Sequence, residues 1–142
     1  MPALYAGMKT VMVAGKFDPV HEGHIEHIRQ AAALGDWLIV VTHTDEVVKL
    51  VKGRCAVPFW AREAILQGLL LRYNIKGVVT RSVDTDGTVA RTIQVCRPRI
   101  FAKGGDRTPD NMPQSEIDAC REVDCQIVYG VGEKLNSSSL IM

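Results

Sequence analysis

Five short runs of the chain are apolar at consecutive positions: Thr10–Ala14 (TVMVA), Trp37–Thr42 (WLIVVT), Gly77–Thr80 (GVVT), Ile100–Lys103 (IFAK) and Gln126–Tyr129 (QIVY). A strand with one wet face would alternate polar and apolar residues. Continuous apolar, β-branched runs predict strands buried on both faces, as in a parallel sheet. The segments between them change period. Gly23–Leu34 places Ile25, Ile28 and Ala32 on one helical stripe and reaches Gly35, a residue suited to a C′ position. Pro58 opens Pro58–Leu71, where Ala61, Ile65 and Leu69 repeat at helical spacing. Thr88 is placed to cap Val89–Cys96, and Ser115 to cap Glu116–Val123. Strands alternating with helices predict an α/β fold: a single doubly wound, five-stranded parallel sheet of Rossmann-like type, with helices on both faces. No repeat, low-complexity tract or linker divides the sequence, so residues 1–142 are expected to form one domain.

Composition narrows the function classes. A net charge of +1 gives no bulk attraction to nucleic acid or to an anionic membrane, so neither is expected as a partner. Cys55, Cys96, Cys120 and Cys125 make no C-x-x-C pair, and neither a signal-peptide pattern at 1–9 nor a long apolar span is present. Reduced thiols packed as small hydrophobes and a cytoplasmic location are the expectation.

In doubly wound sheets, ligands bind at the carboxyl ends of the strands, where the strand order reverses. The loops 15–22, 43–57, 81–87, 104–114 and 130–138 therefore hold the candidate site, and most of the glycines fall there. The first opens the stretch "GKFDPVHEGH", residues 15–24. The zinc template H-E-x-x-H would need a histidine where Ile25 stands, and a P-loop would need Ser or Thr where Phe17 stands. His21, His24 and His27 drift around a helix at i, i+3 steps without an obvious cysteine or carboxylate partner, so no protein-held metal is expected. Phosphate binding fits better. Gly15 allows close backbone approach after a strand, Asp18-Pro19 sets a turn, and Gly23 leaves room at a helix N-terminus whose N–H groups and dipole favour an anion. His21 and His24 are placed to donate to phosphate oxygens; His27, one turn on, is expected at the helix surface.

Gly15, Phe17, Asp18, His21, Gly23 and His24, in the order G-x-F-D-x-x-H-x-G-H, resemble the signature of the HxGH nucleotidyltransferase superfamily. That group includes cytidylyltransferases and several adenylyltransferases. Three further stretches are similar to it. "KLNSSSLIM" puts Ser137, Ser138 and Ser139 where the superfamily carries a hydroxyl run. An Arg or Lys often follows that run, whereas Leu140, Ile141 and Met142 stand here, which leaves Lys16 or Lys134 to supply charge. In "KLVKGRCAVPFWAREAIL", Lys52 and Arg62 match positions that meet phosphate groups in the glycerol-phosphate and heptose-phosphate branches. Lys103-Gly104-Gly105-Asp106 resembles the K-G-G-D of the heptose 1-phosphate adenylyltransferase domain, and that likeness extends from Thr10 to Ile141. Asp84, Asp86 and Gly87 lack the third acidic position of a calcium loop and are expected as turn residues.

The resemblance implies nucleotidyl transfer: a phosphate oxygen of an acceptor attacks the α-phosphorus of an NTP and pyrophosphate leaves. It implies catalytic roles for His21, His24 and Lys52, and an acceptor-binding role for Lys52 and Arg62. Nucleotide binding falls to Gly15, Lys16, Phe17, Asp18, Gly23, Gly104, Gly105, Asp106 and Ser137 to Ser139. Mg²⁺ accompanies the NTP, and a homodimer is expected. AMP transfer from ATP to a heptose-like sugar 1-phosphate leads. A cytidylyltransferase making a CDP-alcohol such as CDP-glycerol is the alternative, and a catalytically silent nucleotide-binding domain a third.

Overall fold

The apolar runs become strands of one sheet. In the computed structural model, which describes residues 7–105 and 107–132, the order is β1 (Thr10–Gly15), α1 (Glu22–Ala32), β2 (Trp37–Thr42), α2 (Asp45–Lys52), α3 (Phe59–Arg72), β3 (Gly77–Arg81), α4 (Ala90–Cys96), β4 (Ile100–Ala102), α5 (Gln114–Glu122) and β5 (Gln126–Val128). All pairings are parallel and the spatial order is β3-β2-β1-β4-β5. The order reverses between β1 and β4, the place at which a sheet of this kind is expected to bind its ligand. Asp106, Lys134 and Ser137 to Ser139 lie outside the described residues.

Two-sided burial of the strands is explicit in the two cores. Val11, Val13, Leu38 and Val40 pack under Ile28 and Ala31 of α1 and Leu66 and Leu70 of α3. Met12, Ile39, Val41 and Phe101 turn to the opposite face, against Ile93 of α4 and Ala119 and Cys120 of α5. Truncating a fully buried Leu66 to Ala would cost roughly 2–5 kcal/mol, the usual range for an aliphatic core residue. Among the described residues no helix is long and apolar enough to cross a membrane.

Three local expectations change. The segment 43–57, expected as loop, contains α2, although its signals are all in the sequence. Thr44 Oγ1 accepts from Val47 N at 3.2 Å, Asp45 and Glu46 occupy the first turn, and Gly53 closes the helix with φ +93°. Gly35 is not a left-handed cap, because Ala33 ends α1 in the right-handed region. A Cβ at Gly35 would run into the Lys9 carbonyl and Val11, so close chain approach requires glycine there.

Neither Thr88 nor Ser115 is an N-cap; Val89 and Pro113 hold those positions. The start of α4 is satisfied from a distance instead. Glu116 Oε2 accepts from Val89 N at 3.0 Å. Asp84 accepts from Arg91 N at 2.8 Å, Thr92 N at 2.9 Å and the Thr92 hydroxyl at 2.7 Å. Asp84 is thus a buried helix anchor rather than a turn residue.

Candidate active site

The first loop leaves β1 at Gly15 and enters α1 at Glu22. Phe17 takes a left-handed backbone (φ 51°) and buries its ring. A Cβ on Gly15 would lie 3.2 Å from that ring, so the space the glycine frees is filled by Phe17 rather than left for a ligand. The same ring meets His24 edge-on, with centroids 4.8 Å apart.

His21 and His24 are held by the backbone of the turn they begin. His21 is the N-cap of α1, and its Nδ1 accepts from Gly23 N at 3.1 Å. His24 Nδ1 reaches back to accept from His21 N, also at 3.1 Å. This reciprocal pairing is a capping box built from two imidazoles. The rings stack with centroids 3.8 Å apart and an interplanar angle of 23°. Gly23 is needed for this arrangement, since a Cβ there would sit 3.0 Å from the His21 ring.

The geometry fixes the chemistry of the pair. An Nδ1 that accepts carries no proton, so each ring keeps its hydrogen on Nε2 and offers it as a donor. Burial, with the neighbouring His21 and His27, pushes the His24 pKa down to about 4. His24 is therefore a neutral donor at pH 7. Two rigid N–H donors at a helix N-terminus have the chemistry that suits anionic oxygens.

The cationic residues divide sharply. Asp18, 5% exposed, accepts from Ala56 N at 3.0 Å and Val57 N at 2.6 Å and pairs with Lys52 Nζ at 3.2 Å. Burial raises its pKa, but these hydrogen bonds and the Lys52 charge outweigh that and hold it below the usual carboxylate value. Lys52 also donates to the Asp18 carbonyl, and its side chain stays 37% exposed. An ammonium carries three donors, so Lys52 keeps one free towards solvent.

Arg62 has no exposed surface. Its guanidinium donates to Val57 O, Lys16 O, Thr42 Oγ1, His43 O and Asp45 Oδ1, at 2.6 to 3.1 Å. The expected contact between Arg62 and an acceptor phosphate is therefore not available in this fold. The residue ties α3 to the loops after β1 and β2. Its burial on the inner face of α3 follows from helical register with Leu66 and Leu70, a signal present in the sequence.

At the reversal point the loop after β4 meets the loop after β5. A Cβ on Gly104 would lie 2.6 Å from Val131 O and 3.0 Å from His27 Nδ1. The space expected to seat a nucleobase at Gly104 is thus filled by the chain itself, while Gly105, with φ +60°, faces open space. His27 is not a surface residue. Its Nδ1 donates to Val131 O at 2.7 Å, and Gly132 packs so closely that a Cβ would fall 2.5 Å from His27 Cα. His27 therefore locks α1 to the last described loop, with the opposite ring proton from His21 and His24.

His43 was not among the expected site residues. It directly follows β2, is 5% exposed, and has the charges of Lys16, Asp84, Arg62 and Lys103 around it. Burial and those lysines push its pKa down. A lone histidine in "VTHTDE" gives no pattern to flag it. Its place at a strand's carboxyl end was the available signal. No group of three His, Cys, Asp or Glu side chains among the described residues could hold a metal ion.

The architecture is a parallel α/β sheet with two stacked imidazoles opening the helix entered from β1, beside the reversal of strand order. The chain belongs to the cytidylyltransferase-like family of nucleotidyltransferases, whose family model matches residues 12–139. It is 43% identical over 108 residues to the bifunctional protein HldE of Vibrio atlanticus (strain LGP32), covering 75% of this chain and 21% of that one. It is 39% identical over 112 residues to the bifunctional protein HldE of Actinobacillus pleuropneumoniae serotype 5b (strain L20), covering 78% and 22%. The chain thus spans about a fifth of the length of the curated relatives it matches. Among solved structures it is similar to a lipopolysaccharide core biosynthesis protein from Thermoplasma volcanium GSS1 (TM-score 0.66, 22% identity, 87% of this chain and 95% of that one). It is also similar to the pantoate-beta-alanine ligase of Francisella tularensis (TM-score 0.54, 12% identity, 89% and 60%). These two likenesses concern the fold.

Proposed function

We propose that this chain, as one domain, transfers AMP from ATP to a sugar 1-phosphate of the heptose kind. An acceptor phosphate oxygen attacks the α-phosphorus in line, a new P–O bond forms, the bond to the bridging oxygen breaks, and pyrophosphate leaves with the electron pair. No protein nucleophile takes part, so catalysis rests on placement and on charge stabilisation. The observation that carries this reading is the His21/His24 pair. Its Nδ1 atoms are locked by backbone N–H groups, so both Nε2–H donors are pre-set for the α-phosphate and the bridging oxygen.

Lys52, with a free donor, holds the acceptor phosphate. Lys16, Gly105, Asp106 and Ser137 to Ser139 serve the nucleotide and its leaving pyrophosphate. Mg²⁺ would accompany the NTP and supply charge neutralisation on its phosphates. The choice of ATP and a sugar phosphate is supported by similarity to the HldE proteins and by the K-G-G-D stretch. The family description itself favours a second reading, CMP transfer from CTP to an alcohol phosphate such as glycerol 3-phosphate. A cytoplasmic homodimer completes the proposal, with sedimentation as the test of assembly. A panel of NTPs against phosphorylated acceptors, scored by pyrophosphate release, tests the reaction. Turnover with ATP and a sugar 1-phosphate is expected. Turnover confined to CTP and glycerol 3-phosphate would replace the first reading by the second, and binding of NTP without turnover would point to a silent domain.

A further inference from the structure

Two deeply buried polar atoms on the α4/α5 side of the sheet have no hydrogen-bond partner: His43 Nδ1 and Glu116 Oε1. Each residue is 5% exposed. Buried polar atoms are nearly always paired, so two orphans in one region need partners that the described residues do not supply.

Topology brings them together. Along β2, Leu38 and Val40 face α1 and α3, while Ile39 and Val41 face α4 and α5. Thr42 continues the first series by bonding Arg62 of α3, and His43 continues the second. Glu116 lies in the first turn of α5, where Oε2 caps α4 and Oε1 is left over. Lys103 follows β4, half-buried, with its ammonium 4.7 Å from the Phe101 ring centroid. It is an electrostatic neighbour of both Glu116 and His43, and Lys16 neighbours Lys103 and His43. His43, Lys103 and Glu116 gather at the carboxyl edge of the strands on the α4/α5 side, and Lys16 adjoins them from the loop after β1.

The donor set has a definite chemistry. A carboxylate oxygen accepts, a neutral imidazole both donates and accepts, and two ammonium groups stand at the rim. Vicinal hydroxyls of a phosphate ester match the first two, while its phosphate falls to Lys52. A cationic head group would meet Lys16 and Lys103 with like charge.

We propose that His43 and Glu116 are acceptor-specificity residues that read the hydroxyls of a phosphorylated polyol or sugar, with Lys16 and Lys103 at the rim excluding amino-alcohol phosphates. This rests on the nucleotidyl-transfer reading and narrows its acceptor to polyhydroxylated phosphate esters whose alcohol part carries no charge.

His43→Phe keeps a ring without its nitrogens, and Glu116→Gln keeps an oxygen for the α4 cap. With mannose 1-phosphate and glycerol 3-phosphate as probes, each variant is expected to raise the acceptor KM about tenfold while the ATP KM and the thermal midpoint stay put. A deoxy acceptor should lower the gap between native and variant proteins. Unchanged acceptor KM in both variants, or equal use of phosphocholine by the native protein, would overturn the assignment. If the native protein releases no pyrophosphate with any pair, the proposed reaction fails. Calorimetric binding of the same two probes then decides the subsite alone: weaker binding by the variants supports it, and equal binding overturns it.

Discussion

Arg62 and His24 are both polar residues on helices beside the same loop, and their surroundings assign them opposite work. Arg62 has its donors engaged by the loops after β1 and β2 and shows no surface to solvent. His24 uses one ring nitrogen to hold the turn and keeps the other free. What separates framework from candidate chemistry here is the hydrogen-bonding capacity that folding leaves unused. By that measure Lys52 stays with His24, and Asp18, saturated by Ala56, Val57 and Lys52, joins Arg62.

The contrast can be broken most forcibly at Arg62. Arg62→Met should lower unfolding stability by about 3 kcal/mol or more in urea titration, because it leaves the buried carbonyls of Lys16, His43 and Val57 without their donor, at roughly 1–3 kcal/mol each. Arg62→Lys should recover little, since one ammonium cannot span the acceptors a planar fork reaches. A soluble, fully stable Arg62→Met protein would mean the residue is not framework. His24→Ala should act the other way round. We expect kcat to fall at least a hundredfold, equivalent to about 2.7–4 kcal/mol of transition-state stabilisation, with the fold retained. A near-native rate would remove His24 from the mechanism.

Smaller effects sharpen the same division. Asp84→Ala should cost about 1–3 kcal/mol of stability, through unpaired N–H groups at the start of α4. His27→Ala should cost about 1 kcal/mol by releasing Val131 and should speed amide exchange at 131 and 132. The gentlest test is pH. The His24 pKa lies near 4 in the folded chain and at 6.5 ordinarily, so the unfolded chain binds its proton first as pH falls. Stability is therefore full above about pH 6.5 and declines towards pH 4, with His27 and His43 acting in the same sense. Urea midpoints at pH 7, 5.5 and 4.5 should show the slope, and His24→Gln should flatten it. Asp18 adds its own loss only below the usual carboxylate range.

Much of this was legible in the sequence. Continuous apolar runs announced parallel strands because both sheet faces are covered, and each of the five forms where expected. Gly15, His21, Gly23 and His24 stood out because a helix N-terminus next to a strand end is a local arrangement, fixed within ten residues. Even α2 was readable from Thr44, the acidic first turn and Gly53. A basic segment was simply read for its charge rather than for its caps.

Other features depended on chain meeting chain. The 62/66/70 spacing places Arg62 on the buried stripe of α3, but that its guanidinium is fully engaged there was settled by β1 and β2 ending beside that helix. That Gly104 makes room for His27 depends on the crossing of the β4 and β5 loops over α1. The orphaned nitrogen of His43 belongs to the same kind of fact. Local sequence sets what a residue is able to bond, because its chemistry and helical or strand phase are intrinsic. Tertiary packing decides which of those bonds are already made, and so which residues remain to meet a substrate.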